Sequence, residues 1–156
     1  MNQNSVRAWL LEFSRNRIAA VGLHEIVEVL SRPKRYHVPL TDARCHQVLV
    51  WRDEILPVVD FGAGHEANDD GAAAGGAVTA IAVYQTVPGE PLRYGALELG
   101  VMPKTISVAD SMACALPGSA AYISDLAISC FSYENLAVPV IDLTRVFEHP
   151  PSYHPD

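Results

Sequence analysis

The chain has 156 residues, 49% of them hydrophobic, and sets 11 Lys plus Arg against 18 Asp plus Glu for a formal charge of −7. That length and apolar content suffice for a buried core, whereas the charge opposes a phosphate backbone and so argues against nucleic-acid partners. No stretch approaches the roughly 18 consecutive apolar residues of a membrane span, and the N-terminal residues lack a basic start followed by a long apolar run, so neither membrane insertion nor a signal peptide is expected.

Apolar runs at residues 8–13, 17–22, 25–30, 47–52 and 55–61 are bounded by turn residues and hold no 3.6-residue period, which makes them strands. Ser14, Arg15 and Asn16 supply a turn between the first two runs and Asp53 with Glu54 between the last two, giving two hairpins. Residues 39–46 fit a helical turn or two, with Thr41 or Asp42 as N-cap. Residues 62–77 are glycine-rich and poor in large apolar side chains, the composition of a flexible linker. They contain no lysine and no G-x-G-x-x-G leading from strand to helix, so a phosphate cradle is not indicated. The strand pattern resumes at residues 78–86, 93–99, 101–108, 123–131 and 136–143, with turns at 87–91 and 132–135.

Leu56-Pro57-Val58-Val59-Asp60-Phe61 is echoed by Val138-Pro139-Val140-Ile141-Asp142-Leu143. Both halves thus close on the same apolar-Pro-Val-apolar-Asp-apolar run, which indicates an internal duplication of a five-stranded unit, each copy too small to stand comfortably alone. The expected fold class is all-β, with two small five-stranded barrels packed together and few short helical turns. Residues 8–61 form the first barrel region, 62–77 the linker where the chain crosses, 78–148 the second barrel region and 149–156 a tail. Proline inside each echo implies an edge or a bulge, because it cannot donate a ladder hydrogen bond.

Three segments carry a family resemblance. Leu23-His24-Glu25-Ile26-Val27 resembles a V-Q-E-I stretch, residues 48–61 resemble V-x-N-L-R-G-x-x-x-P-V-V-D-L, and residues 94–101 resemble V-G-I-V-V-D-x-V. Together they resemble the CheW family of chemosensory adaptors, which couple chemoreceptors to the histidine kinase CheA. The likeness covers residues 8–148 and makes residues 1–156 a single CheW-like domain. It implies two SH3-like barrels, a cytoplasmic scaffold without enzymatic activity or cofactor, and two partners, a methyl-accepting chemoreceptor and a CheA-like histidine kinase. The chain departs from the pattern at Gln47, Val50, Asp53 and Leu99. Such a divergent adaptor fits a pilus or surface-motility pathway as well as a swimming one.

Glu25 and Arg52 match two polar positions that lie near the receptor contact in that family. A carboxylate and a guanidinium on neighbouring strands are suited to pair bidentately. Leu23, Ile26, Val48 and Val50 beside them either line a groove between the barrels for a partner helix or, taken singly, belong to the core. Trp51 stands where the family has leucine, as a core filler or as an interface anchor. Trp9 is expected to pack against the second barrel or a terminus, and Arg7 and Arg93 to be solvated charges.

Cys45, Cys114 and Cys130 form an odd set without C-x-x-C spacing, which argues against a disulfide framework and a thiolate zinc site and fits a reducing compartment. None of the six histidines pairs with another at i, i+4. There is no G-x-S-x-G, and the adjacent side chains of Cys45 and His46 would diverge. No catalytic, cofactor or metal site is therefore expected. The alternative reading is a small-ligand-binding β-barrel module, which would show one concave cavity with convergent polar groups.

Overall fold

The computed structural model describes residues 5–14, 17–39, 45, 47–62 and 78–148. Within them the strands are β1 (Ser5–Ser14), β2 (Arg17–Gly22), β3 (Ile26–Ser31), β4 (Tyr36–His37), β5 (Gln47–Trp51), β6 (Glu54–Val59), β7 (Val78–Tyr84), β8 (Arg93–Leu99), β9 (Lys104–Ala109), β10 (Ala127–Tyr133) and β11 (Leu136–Ile141), followed by helix α1 (Leu143–Glu148). They make two sheets, ordered β10-β11-β2-β1-β9 and β3-β7-β8-β6-β5-β4. Both follow one scheme: an antiparallel hairpin joins a parallel neighbour, then two antiparallel partners. The fold is all-β and built of two packed barrel-like sheets, as the patterning indicates.

The sheets do not coincide with residues 8–61 and 78–148. The first takes β1 and β2 from the N-terminal half and β9, β10 and β11 from the C-terminal half; the second takes β3 to β6 from the N-terminal half and β7 and β8 from the other. The duplication is real in strand order, β1-β2-β3-β5-β6 against β7-β8-β9-β10-β11, but the two copies exchange their leading hairpins. Alternation in a sequence specifies which face of a strand is buried and leaves open which sheet the strand joins. The chain crosses between sheets at the 3-10 turn Leu23–Glu25 and again between β8 and β9. Residues 62–77 link β6 to β7 of one sheet, so they are not the crossing; residues 63–77 and 149–156, and most of the helical turn expected at 39–46, lie outside the described residues.

Three hydrophobic clusters follow from this arrangement. Ala20, Ile106, Phe131 and Val138 fill the first sheet, and Leu49, Trp51, Leu56, Val58, Ile81 and Ala96 fill the second. A larger cluster containing Leu11, Phe13, Val59, Phe61, Leu97 and Ile141 joins the two sheets. The hairpins superpose residue for residue. Val48 opposes Pro57 as Cys130 opposes Pro139, and Leu49 opposes Leu56 as Phe131 opposes Val138. Their turns match as well, with Arg52 and Asp53 at φ 50° and 66° and Glu134 and Asn135 at φ 49° and 67°, the two left-handed residues of a type I′ hairpin.

Three elements differ from the sequence expectation. The strand expected at 123–131 begins only at Ala127, because Gly118–Leu126 is two short 3-10 turns that meet at a kink at Ala120, with Ala120, Ile123 and Leu126 buried at every third residue. That spacing is the three-per-turn repeat of a 3-10 helix. The strand expected to end at residue 143 gives way to α1, whose start is capped where Asp142 Oδ1 accepts the Thr144 N–H at 3.0 Å. The run expected at 101–108 starts as a strand at Lys104.

Candidate partner-binding surface

The six residues expected to form one surface fall in three places. Ile26 is buried in the cluster between the sheets. Leu23 and Glu25 sit half-buried in the crossing turn, where the Trp9 indole N–H donates to the Leu23 carbonyl at 2.9 Å. Val48, Val50 and Arg52 lie on the β5–β6 hairpin.

Glu25 does not pair with Arg52. Its Oε1 accepts the Gly22 N–H at 2.6 Å, closing the turn on itself. Burial pushes its carboxyl above the ordinary range against that hydrogen bond, and the Asp142 charge adds to the rise. Arg52 instead reaches Glu28 on β3 at 3.5 Å and lies with its guanidinium carbon 4.4 Å from the centre of the Trp51 ring. Glu28 Oε1 also accepts the Trp51 indole N–H at 3.0 Å. Trp51 is therefore core, with its one polar atom satisfied, and it carries an exposed cation on its outer face.

The hairpin's outer face is apolar. Residues directly opposite on antiparallel strands share a face, and the register sets Tyr36 beside Val48, Val48 beside Pro57 and Val50 beside Ile55. Val50 is 57% exposed, Ile55 71% and Tyr36 46%. The matching row of the first sheet, Cys114, Cys130, Ser132, Ala137 and Pro139, is made of smaller side chains. Two hairpins with the same backbone have thus diverged: the β10 hairpin exposes Ile128 and Leu136 elsewhere, but at these five matched positions the large exposed apolar side chains belong to the β5 hairpin. Leaving such groups in water costs about 25 cal/mol per Å² relative to covering them. Sequence reasoning missed Ile55, Tyr36 and Glu28 here. The two-residue turn alone aligns Ile55 with Val50, whereas nothing periodic marks the two-residue β4.

The barrel mouths differ too. In the second sheet Glu98, 5% exposed, pairs with Arg35 at 2.7 Å and accepts the Thr79 hydroxyl at 3.2 Å. Burial nevertheless raises its carboxyl above the ordinary range, Arg35 opposing the rise. The corresponding pair in the first sheet is Ala8 opposite Gly22, and these line a cavity of about 450 Å³ with Ala20, Phe131 and Val140. Among the described residues no group of three or more His, Cys, Asp or Glu is placed to hold a metal ion, and no helix is long and apolar enough to cross a membrane.

No family model matches the sequence, and no curated protein matches it. Among solved structures the chain is similar to the crystal structure of the scaffolding protein TtCheW from Thermoanaerobacter tengcongensis, with a TM-score of 0.67 and 13% identity over 97% of this chain and 98% of that one. The fold is CheW-like over 97% of the chain.

Proposed function

We propose that the chain is a non-enzymatic adaptor that couples chemoreceptors to a CheA-like histidine kinase in chemosensory signalling. The observation that carries this reading is the exposed apolar row on a hairpin whose duplicate lacks it, in a fold shared over 97% of the chain with a CheW scaffold. A strand face of Tyr36, Val48, Val50, Ile55 and Pro57 flanked by Arg52 suits a protein partner better than a small molecule, because it is a row of apolar side chains rather than a set of convergent polar groups. Leu23 and Glu25 belong to this reading only as the turn that holds the two sheets together, and Ile26 only as core. A cytoplasmic location and a pilus or surface-motility pathway remain part of the same proposal.

Co-purification of the tagged chain with the chemoreceptors and CheA-like kinase of its own organism tests it. Recovery of both partners supports the role; recovery of neither from cells that express both rejects it. The apolar cavity of the first sheet favours a second reading, a small-ligand module, which predicts that a compound filling that cavity raises the melting temperature in proportion to its concentration.

A further inference from the structure

Cys114 and Cys130 are sixteen residues apart in sequence and meet in space with their sulfurs 3.3 Å from each other. The segment after β9 turns back along β10, forms a bridge between Ala113 and Phe131, and donates the Cys114 N–H to the Cys130 carbonyl at 3.0 Å. That single backbone hydrogen bond, one step along from the bridge, sets the two cysteines opposite each other as neighbours across an antiparallel pair of segments. Such neighbours hold their Cα atoms roughly 5.5 Å apart, within the span of roughly 4.4–6.8 Å that a disulfide bridges. Rotation of the two side chains is enough to bring sulfur onto sulfur.

The two thiols are also differentiated. Cys114 is exposed and Cys130 is buried. Burial, the hydrogen bond to Cys114 and the neighbouring sulfur push the Cys130 thiol up to about 11, so it is held as the thiol at neutral pH while its partner meets solvent. That division, one accessible sulfur with a sheltered one in contact, is the layout of an attacking and a resolving cysteine. The equivalent pair in the second sheet is Tyr36 and Val48, so the first sheet carries sulfur where its duplicate carries ordinary apolar groups.

We propose that Cys114 and Cys130 are a redox modification site, closed by peroxide into an intramolecular disulfide that fastens the segment after β9 to the rim strand β10. The Cys114 thiolate attacks one peroxide oxygen and the O–O bond breaks, leaving Cys114 sulfenic acid and hydroxide, which is protonated to water. The Cys130 sulfur then attacks the Cys114 sulfur. The S–O bond breaks as S–S forms, and the departing hydroxide leaves with the Cys130 proton as a second water. Two thiols are oxidised and one peroxide is reduced to two waters, and a dithiol reductant reverses the change by exchange. Ala113 and Cys130 both line the 450 Å³ cavity, so the cross-link fixes one of its walls.

The test is exposure of the reduced full chain to hydrogen peroxide in native buffer, alkylation of remaining thiols and peptide mapping by mass spectrometry. The expected result is a monomer that has lost two hydrogens, has a Cys114–Cys130 linked peptide and an alkylated Cys45, and reverts with dithiothreitol. Cys114→Ser and Cys130→Ser should each abolish the link, and Cys45→Ser should leave it intact. Formation should be at least about tenfold faster in buffer than in denaturant, since the fold supplies the proximity. Equal rates in both, dimers linked through Cys114, or oxidation of Cys114 past sulfenic acid without a linked peptide would overturn the proposal.

Discussion

Trp51 donates its indole N–H to Glu28 Oε1 at 3.0 Å, and the same oxygen lies 3.5 Å from Arg52. One carboxylate on β3 thus satisfies a core tryptophan of β5 and steadies a turn residue whose side chain is 70% exposed. In the first sheet Lys104, at the β9 position matching Glu28, lies with its ammonium 5.7 Å from the centre of the Tyr133 ring, which corresponds to Trp51. Each barrel thus sets a cation over the face of this ring, Arg52 over Trp51 and Lys104 over Tyr133, and the second sheet adds a carboxylate at the edge of the indole.

Glu28→Ala removes the acceptor of a mostly buried N–H and should lower unfolding stability by about 1–3 kcal/mol. Glu28→Gln keeps a carbonyl in reach of Trp51 and should cost less. Urea unfolding followed by tryptophan fluorescence measures both, and equal losses would mean that the charge rather than the hydrogen bond matters.

Gly95 is where α1 meets the second sheet. A Cβ there would overlap the Phe147 ring, which stacks on Tyr84 with centroids 5.4 Å apart. Gly95→Ala should therefore displace α1 or cost about 1–3 kcal/mol as an overpacked site. Pairing it with Phe147→Ala should recover part of that loss. A double variant no better than the sum of the two singles would show that the clash is relieved in some other way.

Glu98 and Glu25 both have carboxyls raised above the ordinary range, chiefly by burial. The folded state therefore binds their protons more tightly than the unfolded chain does. Their contribution to stability is fully present below the ordinary carboxylate pKa and is lost as pH rises through the raised folded values. Glu98→Gln cannot ionise, so its melting temperature relative to the parent should increase as pH is taken from the ordinary carboxylate range to neutrality. A difference that stays flat, or falls, would mean that the Arg35 pair outweighs desolvation.

Much of this architecture was legible because hairpins are local. The run before Pro57 and the run before Pro139 each pair across a two-residue turn, and the structure sets both prolines on the second strand of the hairpin, opposite Val48 and Cys130. Exchange of the leading hairpins was not legible, since β1 and β7 are both apolar strands and nothing in either run names the sheet that accepts it. The same distinction governs the site. Val48, Val50 and Arg52 share a hairpin and stay together, whereas Glu25 was matched to Arg52 by type, and the local Gly22 N–H captures it first. The meeting of Cys114 with Cys130 depends on a segment that pairs through a single isolated bridge, which no periodicity announces.

Titration calorimetry of the parent and two variants against the organism's CheA-like kinase and receptor tests directly whether the β5–β6 hairpin is the proposed partner surface. Arg52→Gln, which sets no second carboxylate beside Glu28, and the double variant Val50→Ala with Ile55→Ala alter exposed side chains, so each should unfold within about 0.5–1 kcal/mol of the parent per substitution. The account expects both variants to lose more than about 1 kcal/mol of affinity for at least one partner. Variants that melt like the parent and bind kinase and receptor with parental affinity would contradict it.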